Sequence, residues 1–452
     1  MFRDHVTKQS LRSFGIPFYS FNADLLYKPW EVLDDEKQPF TSFKKFWDFC
    51  LTQAQLPVPP SPAPTVLPAH TDYGVSTLTV DDLCLIAPEE EAFLSRLARR
   101  WEPGENSSAA RLKAFMRTSI SSFDTNHAKA DRASTSQLSA HLHFGEISCA
   151  LIWYMMQQTE AELSERGVED NKLAFDKFRR HIGFREYSRY LSYHFPYTHE
   201  RAMLQHLNAC PWEYNREHFL RWQQGTTGYP LIDAGMRELR ATAWTHNRLR
   251  RLTASFCVKH LLLPWQWGLK YFWDALIDAD LEQDSLGWQY VSGGIVDGLS
   301  FDKLDDPVEE GKIVDPDGRY VKLWVPELAK MPVKYIHAPW MAPPEVLASA
   351  GVVLGPMGTY PHPIVTHEEA QRKVSEACRV IEEVFNQQNA NVSVDGGCSV
   401  FESMPDPVLM EARNAMETVS SGDSGVSSFN VPNASDDRMT ISSFDDAALV
   451  PQ

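Results

Sequence analysis

The chain has 452 residues, of which 43% are hydrophobic and 12% aromatic, so it is long enough for two or three domains and a large core. Its 60 acidic and 43 basic residues give a net charge of −17, which argues against DNA binding through general phosphate attraction. Seven scattered cysteines without CxxC spacing indicate free thiols in a reducing compartment, and no metal site is predicted. Without a transmembrane-length apolar run or a signal peptide, we expect a soluble, intracellular protein.

Residues 1–55 have the pattern of an α/β layer. The stretch "SLRSFGIPFYSFNADLL" predicts a helix that ends at Gly15 and a short strand around Phe18–Phe21. Because one such unit cannot close a parallel sheet, we interpret residues 1–55 as the C-terminal remnant of an α/β, Rossmann-like domain. A proline-rich linker and interdomain region follows at 56–109, beginning with "LPVPPSPAPTVLP".

Residues 110–387 predict an all-helical domain. Helical patterns of 10 to 20 residues alternate there with short Gly, Pro and Asp punctuation, and ten of the 13 tryptophans lie in this block. Examples are "FDKFRRHIGFREYSRYLSYHF", "PLIDAGMRELRATAWTHNRLRRLTASFCVKHLLL" and "THEEAQRKVSEACRVIEEVF", the last opening with a capping box of Thr366 and Glu369. Residues 388–452 contain ten acids, two arginines and eleven serines, which predicts a disordered acidic tail.

The stretch "DADLEQDSLGWQY" places carboxylates at every second position from Asp278 to Asp284. A calcium loop would need Gly and Glu where Gln283 and Gln289 stand, so that interpretation fails. Like charges gathered this closely need cationic partners, and Arg248 and Arg250 of "TAWTHNRLR" are candidates. The residues alone leave open whether this is a buried ion-pair network or a ligand site.

A second candidate site is "STSQLSAHLHFGEIS" at 134–148, where hydroxyl residues precede a helical pattern. Backbone N–H groups and hydroxyls at such a place can hold phosphate, although an ordinary N-cap explains the same spacing. No G-x-G-x-x-G or P-loop occurs, so a Rossmann or NTPase phosphate site is not supported.

Taken together, five separated motifs resemble the flavin-binding domain of the photolyase/cryptochrome family, and most closely that of plant-type cryptochromes. They are "TSQLSAHLHFGE", "GFREYSRYLSYHFPYTHERAML", "GTTGYPLIDAGMRELRATAWTHNRLR", "LPWQWGLKYFWDALIDADLEQDSLGWQY" and "VKLWVPELAKMP". The segment "FNADLLYKPWEVLDDEKQPFTSFKKFWDFC" resembles the end of the family's N-terminal α/β domain. The resemblance runs over roughly residues 1–385 and implies that the helical domain binds FAD.

The resemblance also implies roles for particular residues. Asp284 matches the proton donor to the flavin N5, which permits a neutral semiquinone, and Trp288, Trp265 and Trp212 match a chain that carries electrons to the flavin. The implied cofactor-binding residues are Phe123, Thr135, Ser136, Gln137, Leu138, Ser139, Arg185, Trp244, Asn247, Arg250, Asp278, Ala279, Asp280 and Asp284. Those implied for ATP, bound above the flavin, are His246, Asn247, Arg248, Tyr290 and Asp297.

The chain departs from the family pattern at several positions. It begins inside the α/β domain, so the site for an antenna such as methenyltetrahydrofolate is incomplete, and a truncated gene model is as good an explanation as a real short form. Phe123 replaces a tyrosine near the FAD phosphates and His127 a basic residue, while Arg240 and Ala243 replace a tryptophan and a glycine. His181 and Phe184 stand where dimer-splitting photolyases carry Glu and Trp, which disfavours repair of cyclobutane pyrimidine dimers.

The first hypothesis is therefore a blue-light photoreceptor rather than an enzyme, which signals through its flavin domain and acidic tail in the nucleus and cytoplasm. The resemblance implies signalling proteins as partners and light-dependent homo-oligomers, with no membrane and no specific DNA binding. The alternatives are a light-driven DNA repair photolyase and a truncated relative that folds poorly and binds no flavin.

Overall fold

The computed structural model describes residues 2–19, 24–54, 57–61, 64–66, 78–79, 81–87, 90–132, 134–167 and 171–392. In this part of the chain the regular structure is helical, and β-structure is limited to one isolated bridge between Leu354 and Tyr360. The prediction of a mainly α fold is confirmed. The α-helices are α1 Phe2–Ser13, α2 Phe43–Thr52, α3 Glu91–Arg100, α4 Glu105–Thr118, α5 Phe123–Asn126, α6 Ser139–His143, α7 Cys149–Glu165, α8 Lys172–His194, α9 Arg216–Gln224, α10 Pro230–Thr242, α11 Asn247–Ser255, α12 Trp265–Ala275, α13 Leu281–Ser292, α14 Pro307–Val314, α15 Arg319–Trp324, α16 Pro344–Ala350 and α17 His367–Val392.

The chain divides into two compact units. The first comprises Met1–Val75 and Leu94–Glu382, and the second comprises Ser76–Phe93 and Glu383–Gln452. In the described part of the second unit, Asp81–Leu83 forms a 3₁₀ turn, and the Asp82 carboxylate accepts hydrogen bonds from Thr79. The predicted divisions at 55, 109 and 387 stay predictions. The predicted disordered tail begins inside α17, which continues to Val392, and the rest of that tail lies outside the described residues.

In the N-terminal region, the structure contains the predicted helix, but the predicted strand around residues 18–21 does not begin at Phe18. Helix α1 is followed by Gly15, whose φ of +71° and N–H bond to the Arg12 carbonyl (3.0 Å) end the helical pattern there. Residues 16–19 are irregular, so the strand expected to begin at Phe18 does not, and positions 20–23 of it lie outside the described residues. A short strand needs a neighbouring strand to pair with, and the described part of the chain supplies none.

Among the described residues, the first unit has two large hydrophobic cores, and a small third cluster joins Trp101, Ala140 and Trp244. One joins α2 to α4, α7 and α8, and the ring of Trp47 lies so close to Gly183 that a Cβ there would be 2.8 Å away. The other joins α9–α13 to α15 and α17 around Trp222, Leu249 and Trp265. None of the helices in the described ranges has the length and apolar character needed to cross a bilayer.

The long helical pattern from 230 to 263 is divided in the structure. Helix α10 ends where Ala243 takes a φ of +53°, α11 begins after His246, and residues Phe256–His260 form a π-helical turn. The Ala243 carbonyl accepts from the Ile277 N–H at 2.8 Å, which ties this break to the chain leading into Asp278. The capping box at α17 is confirmed, because Thr366 and Glu369 exchange bonds of 2.9 and 3.2 Å.

Candidate functional site: a cavity between the two cores

A cavity of about 740 Å³ lies between the two cores of the first unit. Helices α5 to α8 contribute one wall, and α11 to α13 contribute the other. Its volume falls in the range of roughly 300–1,000 Å³ that is usual for pockets of cofactors and small ligands. The predicted site residues that line it are Phe123, Thr135, Ser136, Gln137, Leu138, Ser139, Arg185, Trp244, Asn247, Arg248, Arg250, Asp278, Asp280, Asp284, Trp288, Tyr290 and Asp297. Those that do not are Ala279, His246, Trp265 and Trp212.

The loop at 135–138 offers hydrogen-bond donors to the cavity. Among the described residues, the backbone N–H groups of 135–138 donate to no protein acceptor, and neither do the hydroxyls of Thr135 and Ser136. Gln137 has a φ of +49°, an unfavourable conformation that is stabilised here because its side-chain oxygen accepts from Arg111 at 2.9 Å. The loop thus presents unpaired donors of the kind that bind phosphate oxygens.

The two aspartates that precede α13, Asp278 and Asp280, each have an arginine partner. The buried Asp278 carboxylate accepts from Arg250 Nη2 at 2.9 and 2.8 Å, and Arg250 Nε also donates to the Thr245 carbonyl at 3.0 Å. Asp280 accepts from Arg189 at 2.6 Å and, as the N-cap of α13, from the Gln283 N–H at 2.8 Å. Both pairs hold the N-terminal end of α13 against the cavity.

Arg248 does not partner these carboxylates, which corrects the sequence prediction. It forms an ion pair with Glu310 of α14 at 2.5 Å. Arg248 and Arg250 are two positions apart on α11 and therefore point to different sides of the helix, so only one of them can reach Asp278.

Asp284 lies one helical turn after Asp280 and faces the cavity. Its Oδ2 accepts from the Asp280 N–H at 3.0 Å, and its own N–H donates to the Asp280 carbonyl at 2.8 Å. Burial raises the pKa of Asp284 to about 7, and the negative charges of Asp278 and Asp280 add to this against the opposing charge of Arg250. A carboxyl group with this pKa can hold a proton near neutral pH and give it to an acceptor in the cavity.

A second ionic cluster on α8 connects the cavity to the N-terminal region. Arg185 and Arg189, one turn apart, both pair with Asp24, and Arg189 also reaches Asp280. Burial opposes ionisation of Asp24, but the two guanidinium groups outweigh it and hold the pKa of that carboxyl below its ordinary value. The neighbouring Glu186 accepts from the Leu26 N–H at 2.7 Å, and burial raises its pKa to about 7.

The three tryptophans predicted to carry electrons differ in their surroundings. Trp288 lines the cavity and is buried, Trp265 is buried on α12, and Trp212 is half-buried against Phe301. Gly268, one turn after Trp265, lets the Trp288 ring approach α12, since a Cβ on Gly268 would lie 2.0 Å from that ring. No ring pair among the described residues joins Trp265 to either of the others, so the relay stays a prediction.

Only some of the residues predicted to bind ATP line the cavity. Asn247, Arg248, Tyr290 and Asp297 line the cavity, whereas His246 is buried as the N-cap of α11 and accepts from the Arg248 N–H at 3.1 Å. Asp297 accepts from the N–H of Phe43 and from the Ser42 hydroxyl, and so caps α2. In the described part of the chain, His, Cys, Asp and Glu side chains do not gather in threes that could hold a metal ion.

Sequence reasoning missed Arg189 and Cys149, although both line the cavity. Arg189 lies four residues after Arg185 in "FREYSRY", so the helical period was a usable signal. Cys149 lies near Arg185, whose Nη1 is 3.3 Å from the sulfur, but no pattern in the sequence links the two.

The donors and volume of this cavity fit a dinucleotide cofactor. Unpaired N–H groups and hydroxyls at 135–138 match the needs of a pyrophosphate, and the Arg250–Asp278 pair offers both a donor and an acceptor beside a polar ring system. The site therefore defines a helical domain that can hold a dinucleotide with a polar ring system, and the sequence resemblance implies that this dinucleotide is FAD.

Comparisons with known proteins agree with this class. The family described as "FAD binding domain of DNA photolyase" matches residues 178–380, and "DNA photolyase" matches residues 2–65. The chain is 46% identical to cryptochrome-1 of Arabidopsis thaliana over 83% of its own length and 54% of that protein. It is 34% identical to a deoxyribodipyrimidine photo-lyase of Agrobacterium fabrum, over 82% of this chain and 75% of that protein.

A solved structure agrees as well. A bacterial class III photolyase from Agrobacterium tumefaciens superimposes with a TM-score of 0.76 at 33% identity, covering 85% of this chain and 77% of that one. The chain belongs to the photolyase/cryptochrome family and contains its FAD-binding domain. It spans only about half the length of the Arabidopsis cryptochrome that it matches.

Proposed function

We propose that this protein is a blue-light photoreceptor of the cryptochrome type, with non-covalently bound FAD and photoreduction through tryptophan. The observation that carries the proposal is Asp284, a carboxyl group on the cavity wall whose pKa burial raises to about 7. When bound, the flavin supplies absorption of blue light and acceptance of an electron. Asp284 would hold the proton that can follow the electron, and Trp288, one of the tryptophans that line the cavity, would give the electron.

Other residues would hold and orient the cofactor. The loop at 135–138 donates to the phosphates, and the Arg250–Asp278 pair fixes the polar edge of the ring system. Arg189 keeps Asp280, and with it the backbone around Asp284, in place. Burial raises the pKa of Asp284 to about 7, so a substantial fraction of this carboxyl group keeps its proton at neutral pH.

The lesion-recognition positions favour a receptor over a repair enzyme. The ring of Phe184 stacks on Phe43 with centroids 3.9 Å apart, and the Arg180 guanidinium lies 5.3 Å from its centroid. The Phe43 ring occupies one face of Phe184, which leaves less of this ring for stacking on a flipped base. Burial lowers the pKa of His181 to about 4, with His127 and Arg180 adding to the shift, so this side chain is neutral at physiological pH.

The second candidate function is light-driven repair of cyclobutane pyrimidine dimers. It is favoured by the 34% identity to a deoxyribodipyrimidine photo-lyase and by the structural match to a class III photolyase. Both functions require FAD in the cavity, and they differ in the fate of the electron.

We extend the photoreceptor proposal to binding partners, localisation and further ligands. Signalling proteins would bind the flavin domain and the acidic tail, light would favour homo-oligomers, and the protein would act in the nucleus and cytoplasm. ATP would bind above the flavin against Asn247, Arg248 and Tyr290. An antenna such as methenyltetrahydrofolate would be a second chromophore.

The experiment uses the purified full chain, reconstituted with FAD, and a DNA oligonucleotide that contains a pyrimidine dimer. We expect stoichiometric FAD, bands in the blue and near ultraviolet, photoreduction in blue light, and no dimer splitting. Folded protein that stays colourless after FAD is added would contradict both functions. Light-dependent dimer splitting would replace the receptor with the repair enzyme. Glu309→Gln, in an exposed ion pair with Lys312, is the control substitution that should leave FAD binding unchanged.

A further inference from the structure

The loop at 135–138 depends on the backbone conformation of one residue, Gln137. This residue lines the cavity, and its φ of +49° lies in the left-handed region, which glycine adopts freely and other residues adopt only at a cost. The turn lies among the N–H groups of 135–138, which donate to no protein acceptor within the described residues. The conformation of Gln137 therefore decides where these donors point.

Two arginines share the side-chain oxygen of Gln137. Arg111 Nη1, on α4, donates to Gln137 Oε1 at 2.9 Å, and Arg100 Nη2, on α3, donates to the same atom at 3.4 Å. Neither arginine forms an ion pair with a carboxylate in the described part of the chain. Burial lowers the pKa of Arg111, and the neighbouring positive charge of Arg100 adds to this. Because no carboxylate competes for these guanidinium groups, the amide oxygen of Gln137 is their shared acceptor.

The arginines are themselves held in place by an aromatic ring. The guanidinium carbons of Arg100 and Arg111 lie 5.6 and 5.5 Å from the centroid of the Trp101 ring. Trp101 is buried, its Nε1–H donates to the Thr242 carbonyl at 3.1 Å, and its ring packs edge-on against Trp244, which lines the cavity. Since Trp101 is tied to the last residue of α10, it holds both guanidinium groups beside the loop.

We propose that Arg111 is a positioning residue for FAD, because it holds Gln137 in the left-handed conformation that directs the N–H groups of 135–138 at the phosphates. Gln137 lines the cavity and Arg111 does not, so Arg111 acts on the cofactor through Gln137. We call this contact the Arg111–Gln137 clamp. The inference rests on the proposed function, in which FAD occupies the cavity. A loop that is already ordered loses less conformational entropy when the phosphates bind, so the clamp slows the release of FAD.

The test measures the release of FAD from the purified, loaded full chain after dilution, followed by the rise in flavin fluorescence. Arg111→Met keeps an unbranched side chain against Trp101 but cannot donate to Gln137. We expect release to become about tenfold faster, since a hydrogen bond to a charged group is lost. Arg111→Lys keeps a charged donor and should release FAD at a rate between those of the parent and Arg111→Met. Arg117→Met, at an exposed position of the same helix, is the matched control and should release FAD at the parent rate.

A double substitution separates positioning from a merely structural role. Gln137→Gly takes the left-handed conformation without strain and offers Arg111 no side chain to hold. Adding Arg111→Met to Gln137→Gly should therefore change the release rate by less than about twofold. The absorption spectrum of the bound flavin should stay that of the parent in every variant, because none of these substitutions touches the ring system.

Two results would overturn the clamp. One is release of FAD from Arg111→Met at the parent rate. The other is an effect of Arg111→Met that is as large in the Gln137→Gly protein as in the parent, since Arg111 would then not act through Gln137. A parent protein that folds and binds no FAD would instead overturn the proposed function.

Discussion

The two halves of α13 show two ways of building a site. Its N-terminal half carries Asp280 and Asp284, which are held by directional bonds to arginine and backbone groups. Its C-terminal half carries Trp288, which is held by ring packing against Trp222, Phe272 and the bare backbone of Gly268. In the proposed function, the charged half keeps the proton and the aromatic half supplies the electron. A substitution can therefore disrupt the ionic contacts of one half and leave the ring packing of the other half in place, and the reverse also holds.

The largest effect is expected from Trp288→Phe. The substitution keeps a ring between Phe272 and Gly268 but removes the oxidisable indole that is proposed to give the electron to the flavin. Photoreduction of the purified, FAD-loaded protein should be lost while FAD remains bound, as followed by absorbance in blue light. Equal rates in variant and parent would show that another donor reaches the flavin.

The ion pair that precedes the charged half of α13 is removed by Asp278→Asn. Removing one partner of the buried pair leaves the Arg250 charge uncompensated, which costs about 3–5 kcal/mol of unfolding free energy. Urea unfolding followed by circular dichroism measures it. The matched control is Glu309→Gln, whose ion pair with Lys312 is exposed and contributes only about 0–1 kcal/mol. A loss no larger than that of the control would contradict the account of this pair.

The aromatic half is broken by Gly268→Ala. The added Cβ would lie 2.0 Å from the Trp288 ring, so the ring or α12 must move, and overpacking of this kind costs about 1–3 kcal/mol. Gly287→Ala on α13 is the control, because a Cβ there meets nothing within 4 Å, and it should not lose stability. Thermal unfolding distinguishes the two, and equal melting temperatures would refute the close approach.

The smallest effect has the opposite sign. Ala243 ends α10 with a φ of +53°, a conformation that costs an L-residue about 1–2 kcal/mol, and Ala243→Gly should therefore raise the unfolding free energy by about 1 kcal/mol. Ala241→Gly, at an exposed position inside α10, should lower it by about 0.5–1 kcal/mol. Urea midpoints for both variants check the prediction, and a destabilised Ala243→Gly would contradict it.

The charged half was largely predictable from sequence. Carboxylates at alternate positions require cations, and Arg250 pairs with Asp278 as expected, since opposite charges seek each other over a known reach. The partner of Arg248 was not predictable, because Glu310 comes from a helix whose packing the local pattern does not report. Arg189 was readable from the helical period but joins Asp24 and Asp280, which lie 256 positions apart.

The aromatic half was less predictable. Indoles have no charge to indicate a partner, and the contact between Trp222 and Trp288 depends on how α9, α12 and α13 pack together. The end of α10 at Ala243 was also not predictable from sequence. The apolar periodicity continues through this position, and only a backbone angle marks the end of the helix. Local sequence patterns thus predict helices and charged clusters, whereas contacts between aromatic rings can be identified only from the tertiary structure.

The most direct measurement is a difference spectrum of the FAD-loaded protein during blue illumination under argon, for the parent and for Asp284→Asn. The Asn side chain keeps the shape of Asp284 but has no proton to give. In the parent, red absorbance should appear as the proton follows the electron, strongly at pH 6 and weakly at pH 8, since the Asp284 pKa of about 7 lies between them. The variant should show no red absorbance at either pH. The same red absorbance in both proteins, at the same rate, would contradict the role assigned to Asp284.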